Sequence, residues 1–306
     1  MDLDSTRQLP LDRESRGMRY YRNAVERHWD PHDIELDTDR ENLKAFLDST
    51  DTPETYLDGL RSGVARFGAG EQAVTEDLAP LATALGSIDD QMFVTTQIYE
   101  EAKHTDFFDR YWREVIHPVE DALGLDPSSP TDETWFNDAY EELFDRNEEA
   151  MERLLAAPTA EQFAKAYCHY HLVIEGILAQ TGYYGMQQSY SADNYPELPH
   201  LPGLCDGFTK IRQDEGRHVG FGMAKLKALV GDGKVDPQLL DDIVGELLPL
   251  VDDITTDVGD ESFDDVGIPP EELEAFAAEK HTERMEQIKD AAKSVPDLDS
   301  LTSLDG

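Results

Sequence analysis

Apolar residues recur at helical spacing along almost the whole chain. Val74, Leu78, Leu81 and Leu85 follow Glu71 in steps of three or four. Phe108, Tyr111 and Val115 continue a line that begins at Glu101 and His104, and Phe208 and Ile211 lead by the same steps to Glu215, His218 and Gly222. Such steps keep side chains on one face of a helix. The pattern predicts helices over about 40–49, 53–67 and 70–86, long ones over about 88–116, 133–156, 159–188 and 204–230, and shorter ones near 236–254 and 270–293. Turn signals separate them at Gly124 to Pro130, Asp193 to Pro202, Gly231-Asp232-Gly233 and Gly267-Ile268-Pro269-Pro270. No strand-and-turn series appears, so the fold class is all-α. Residues 1–20 are polar and read as a flexible segment, 21–293 as a single helical domain, and 294–306 as a frayed acidic tail. The acidic stretch Asp252–Asp265 reads as a solvated loop.

Two of the apolar stripes are interrupted in the same way. Residues 100–104 read Glu100-Glu101-Ala102-Lys103-His104, and residues 214–218 read Asp214-Glu215-Gly216-Arg217-His218. Each is acid, Glu, small residue, base, His. Residues three apart share a helix face, so each copy projects a carboxylate beside an imidazole. Spacing alone does not carry the point, because four of the nine histidines have a Glu three residues earlier. Prolines on both sides of Glu197–His200 forbid a continuous helix there, and Pro118 places His117 of the Glu114–His117 pair at a helix terminus. The remaining pairs, Glu101–His104 and Glu215–His218, stand on the inward stripe, where a charge costs several kcal/mol unless it is paired or metal-bound. Two Glu-x-x-His helices and one Glu from each of two more make the dinuclear metal site of carboxylate-bridged four-helix bundles. Glu71 and Glu175 stand among apolar or small neighbours and supply the other two glutamates. Four carboxylates and two imidazoles suit manganese or iron, not thiophilic metals, and four negative charges neutralise two divalent ions. The expected assignment is Glu71, Glu101 and His104 on one ion, Glu175, Glu215 and His218 on the other, with Glu101 as a bridge. Asp214 is expected to accept a hydrogen bond from a ligand histidine. His169 and His171 read as structural, and Trp29 as a buried anchor.

Acids outnumber bases 66 to 26, for a net charge of −40. They are spread over the whole length between periodic apolar positions, not gathered in a tail. This is the surface of a folded protein suited to high salt, and we read the source as a halophilic archaeon. Such a surface repels nucleic acid and anionic membranes. Cys168 and Cys205 give no disulfide framework. The N-terminal residues carry no apolar signal region and no run reaches transmembrane length, so the expectation is a soluble cytoplasmic protein.

Taken together, Gly70-Glu71-Gln72-Ala73-Val74-Thr75, Glu101-Ala102-Lys103-His104, Tyr170 five residues before Glu175, and Asp214-Glu215-Gly216-Arg217-His218 resemble the ligand-binding oxidases related to the ribonucleotide reductase small subunit. The resemblance spans roughly residues 20–230. It implies a ferritin-like four-helix-bundle core with additional helices, and a manganese–iron centre (iron–iron being possible) that activates O2 with a long-chain fatty acid or similar lipid bound at the metals. It also implies a homodimer, and an ether crosslink between Val74 and Tyr170. The first ligand helix is shorter and the Glu175–Glu215 segment longer than the family pattern. The alternative is a reductase small subunit serving a large catalytic partner. Against it stand Phe108, where many such subunits have their radical tyrosine, the lack of a tyrosine after Tyr195, and the Val74–Tyr170 pair. An acyl-chain desaturase fits less well. From another class, a ferritin-like iron-binding protein without an oxidised product stays open.

Overall fold

The computed structural model describes residues 11–192, 194–257, 267–290, 293–301 and 303. No strand occurs among them. The helices in chain order are α1 (Arg16–Glu26), α2 (Asp37–Leu47), α3 (Pro53–Ala84), α4 (Ile88–Tyr111), α5 (His117–Leu123), α6 (Asp138–Ala156), α7 (Ala160–Tyr167), α8 (Gln180–Tyr190), α9 (Pro202–Gly231), α10 (Pro237–Thr256), α11 (Pro270–Lys289) and α12 (Leu298–Leu301). Two π-helical stretches join neighbours end to end: Trp112–Ile116 between α4 and α5, and Cys168–Ala179 between α7 and α8. Helices α3, α4, α9 and the continuous α7–π–α8 rod carry the four proposed ligand segments. No helix among the described residues is long and apolar enough to cross a membrane.

Local chemistry explains several of the helix starts. Ser15, Asn137 and Thr159 cap α1, α6 and α7 by accepting a hydrogen bond from the backbone N–H three residues on. Helix α9 begins at Pro202 with no cap of its own. Asp39 of α2 does the work instead, with Oδ1 accepting from Gly203 N–H at 2.7 Å and Oδ2 from Leu204 N–H at 2.8 Å. A residue 164 positions earlier thus fixes the start of the helix that bears Glu215 and His218. In the π-helical stretch the buried guanidinium of Arg284 on α11 donates to the carbonyl of Gly176, next to Glu175.

Four expectations change. The helices expected over 53–67 and 70–86 are one 32-residue helix. Gly68 and Gly70 do not break it; a Cβ at Gly70 would lie 3.2 Å from both Phe144 and the Tyr140 hydroxyl, so the glycine serves close packing. The segment expected to be loose over 1–20 already contains the start of α1, whose Met18 and Tyr20 are buried; residues 1–10 lie outside the described residues. The expected tail contains α12, with Leu301 buried, while 302 and 304–306 lie outside the described residues. Helix α10 runs on to Thr256, into the stretch expected as a loop, and 258–266 lie outside the described residues. Both cysteines are free, Cys168 buried and Cys205 half-buried.

Candidate metal centre

All six side chains singled out in the sequence converge in the middle of the bundle, each less than one-tenth exposed. They form two overlapping groups whose donor atoms lie within 4.8 Å of one another: Glu71, Glu101, His104 and Glu215, and Glu101, Glu175, Glu215 and His218. Glu101 and Glu215 belong to both groups. The expectation of Glu101 alone as the shared carboxylate therefore widens to a pair, one from each copy of the duplicated phrase. His104 Nδ1 stands 3.2 Å from Glu71, 3.3 Å from Glu101 and 3.5 Å from Glu215. His218 Nδ1 stands 3.1 Å from Glu101, 3.1 Å from Glu175 and 3.4 Å from Glu215.

The other nitrogens of the two imidazoles point away from the cluster and are exchanged between the copies. His104 Nε2 faces Asp214 at 3.2 Å, and His218 Nε2 faces Glu100 at 2.9 Å. The first acid of each phrase thus braces the histidine of the other. The bases follow the same rule. Lys103 donates to Asp214 at 2.8 Å, and Arg217 donates to Glu100 and to its own Asp214, each at 2.5 Å. Asp214 also accepts from the Trp29 indole at 2.8 Å, and the Trp29 ring stacks on His104. Asp214 was foreseen; Glu100, Lys103 and Arg217 were not, although their duplication in the sequence was the available signal.

Electrostatics separate the two layers. Asp214 stays ionised far below the usual carboxylate range despite burial, because His104, Arg217 and Lys103 surround it. In the cluster, burial pushes the carboxyls of Glu71, Glu175 and Glu215 up. Glu101 is held down against its burial by His218 and His104, and the imidazoles are pushed up against theirs, His104 chiefly by Glu71 and His218 chiefly by Glu101. Lys103 and Arg217 offset Asp214 and Glu100, leaving four ligand carboxylates without a fixed cation. Glu175 Oε2 and Glu215 Oε2 are buried and accept no hydrogen bond. A hard-to-borderline donor set whose four carboxylates, when ionised, match two divalent cations, and which contains orphaned oxygens, fits a dinuclear metal centre.

Val74 and Tyr170 both line one cavity of about 290 Å³, on which Glu71, Glu101, Glu175 and Glu215 also open. Tyr170 is fully buried and donates its hydroxyl proton to Glu101 Oε1 at 2.6 Å. Burial, with Glu101 and Glu175 nearby, pushes its phenol well above the ordinary range. The rest of the lining is mostly apolar, including Phe67, Ile174, Leu178 and Met186. Tyr183, which sequence reasoning passed over as one more aromatic on a helix, also lines it and stacks on Phe67. His169 and His171 stay outside both groups, as expected; burial, seconded by His218, holds His171 down to about 3. Phe108 is buried and stacks on Phe67.

No family model matches the chain. Among solved structures it is similar to variants of an R2-like ligand-binding oxidase. One, a tyrosine-to-phenylalanine variant with an aerobically reconstituted Mn/Fe cofactor, is 28% identical with a TM-score of 0.74; the match covers 90% of this chain and 94% of that one. A valine-to-leucine variant with an anaerobically reconstituted Mn/Fe cofactor gives 28% and 0.75 over the same shares. A glycine-to-leucine variant with a non-activated Mn/Mn cofactor gives 28% and 0.76, again over 90% and 94%. The all-helical, ferritin-like architecture is common to this chain and those structures.

Proposed function

We propose that this protein is an O2-using dinuclear manganese–iron oxidase that holds a long-chain fatty acid or similar lipid beside its metals and links Val74 to Tyr170 through an ether. The observation that carries the reading is the single cavity shared by four carboxylates of the cluster, Val74 and Tyr170. Glu71, Glu101 and His104 would hold one ion, Glu175, Glu215 and His218 the other, with Glu101 and Glu215 placed to serve both. A reduced metal pair bound there would supply two electrons and the means to reduce dioxygen. Forming the ether breaks the Tyr170 O–H bond and one C–H bond of the Val74 isopropyl group, makes one C–O bond, and releases two electrons and two protons. With the two electrons of the metals and two protons from solvent, these take one O2 to two waters. The residues around the step keep it dry: Val74 is 4% exposed and Tyr170 fully buried. The apolar lining suits an acyl tail, and the unneutralised carboxylates suit metals that in turn receive an acidic headgroup. The acidic surface supports work in a high-salt cytoplasm, and the family resemblance supports a homodimer.

The reductase small subunit has one observation in its favour, the run of contacts from the half-buried Trp29 through Asp214 to His104. Against it, Phe108 leaves no phenol at the position one turn after His104, and the apolar cavity has no use there. The test is to load metal-free protein with manganese and iron, expose it to air in high salt, and digest it for peptide mass spectrometry. A joined pair of peptides containing Val74 and Tyr170, lighter by two hydrogens, is expected, together with a fatty acid or similar lipid in a solvent extract of the purified protein. Unmodified peptides around a filled centre would overturn the crosslink, and an empty extract the lipid.

A further inference from the structure

Gln97 stands one turn before Glu101 on α4 and has no exposed surface. Its amide meets three groups. Nε2 donates to the Tyr170 hydroxyl at 3.2 Å and to Glu175 Oε1 at 3.1 Å, and Oε1 faces His171 Nε2 at 3.4 Å. An amide can be turned end for end at little cost in shape, so its partners decide which end points where. Turned around, Gln97 Oε1 would face a carboxylate oxygen, and its NH2 would face the His171 ring nitrogen.

His171 settles the choice. Its Nδ1 is buried without a partner. A proton on Nδ1 would be an unsatisfied buried donor, and an amide turned to serve the bare Nε2 would set its Oε1 against Glu175 Oε1, two penalties at once. With the proton on Nε2, the ring donates to Gln97 Oε1. The ring cannot swing away: it lies 4.6 Å from the Tyr170 ring and 5.4 Å from the Tyr167 ring, and a Cβ on Gly222 would come within 2.2 Å of the His171 Cβ. Gly222, on the inward stripe four residues after His218, makes room for it. The remaining bond then has only one sense. Because the Gln97 NH2 can donate to the Tyr170 oxygen but not accept from it, the single phenol proton goes to Glu101.

We propose that Gln97 and His171 are positioning residues, forming a one-way hydrogen-bond relay from His171 through Gln97 to Tyr170 and Glu101, with a branch that holds Glu175. The relay sets the direction in which the Tyr170 hydroxyl points in the step described above. The inference rests on the reading of Tyr170 as the reacting phenol, but its geometry can be tested without metal.

The first readout is the tyrosine Fermi doublet in ultraviolet resonance Raman spectra of metal-free protein, which distinguishes a phenol that both accepts and donates from one that only donates. Subtracting the spectrum of Tyr170→Phe isolates Tyr170. In Gln97→Leu, corrected by Gln97→Leu with Tyr170→Phe, the signature is expected to change from acceptor-and-donor to donor only. His171→Phe is expected to act in the same direction, and His171→Gln, which keeps a donor, to restore part of the wild-type signal. Gln97→Met serves the same end should the leucine variant not fold. The second readout is the Val74–Tyr170 product after metal loading in air, expected to fall about tenfold in Gln97→Leu while two metals are still bound. An unchanged Raman signature in the Gln97 variant overturns the proposal, and so does an unchanged product yield. A wild type that never crosslinks overturns the oxidase reading, and the Raman comparison then decides the positioning relay alone.

Discussion

The two flanks of the candidate centre are built on opposite principles. On one, every charge has a named partner: Asp214 is met by Lys103, Arg217, Trp29 and His104, and Glu100 by Arg217 and His218. On the other, Glu71, Glu101, Glu175 and Glu215 look onto a cavity walled by aromatic and aliphatic side chains. The first flank fixes where the imidazoles stand. The second leaves four buried carboxylates with no lysine or arginine beside them, next to space that suits an apolar guest. Position and reactivity are thus divided between two faces of the same four helices.

Breaking the open flank has the largest expected effect. At metal concentrations a thousandfold above the dissociation constant, each bound ion adds about 4 kcal/mol to stability. Glu215→Ala removes a group common to both positions, so elemental analysis is expected to show one ion or none per protomer, and the rise in melting temperature on metal addition is expected to shrink to match. Breaking the balanced flank comes next. Asp214→Asn leaves Lys103 and Arg217 buried with one acid between them, and is expected to cost about 3–5 kcal/mol in denaturant unfolding of the metal-free protein. An equal loss from Glu215→Ala in metal-free protein would erase the distinction between the flanks.

The smallest effect sharpens the comparison with a buried titratable group on neither flank. Burial, aided by Lys165 and Arg146, holds His169 down to about 4 from 6.5. Between these values the unfolded protein binds the proton more readily than the fold does. The contribution of His169 is therefore present above pH 6.5 and is lost as pH falls toward 4, by up to about 1.4 kcal/mol per pH unit. Unfolding of metal-free protein across this range is expected to show a shallower slope in His169→Gln than in wild type.

The clustering of Glu101, His104, Glu215 and His218 was legible because each pair is a local anomaly, charge on an apolar stripe, and because the anomaly occurs twice. Glu71 and Glu175 were legible by their apolar neighbours. Glu100, Lys103 and Arg217 had only their duplication as a signal and Gln97 had none, since a charged or amide residue beside the stripe otherwise looks the same as one facing water until another helix covers it. The π-helical stretch around Tyr170 and Glu175 escaped because a 3.6-residue period has no signal for a widened turn. Helix α1 escaped because it is short and its inward Met18, Tyr20 and Ala24 are few and are interspersed with three arginines. The division expected between 67 and 70 shows the same limit: Gly70, which lets Phe144 and Tyr140 come close, is spelled like a glycine that ends a helix.

The exchange of braces between the two copies also bears on the order in which the molecule is made. The acid that steadies His104 lies 110 residues further along the sequence, and the partner of Glu100 lies 118 further. Neither imidazole can be oriented until α9 has left the ribosome and docked. A nascent polypeptide that has completed α3 and α4 carries Glu71, Glu101 and His104 but not the groups that hold them in place. The complete cluster of six side chains therefore arises in one late event, when α9 closes against α4.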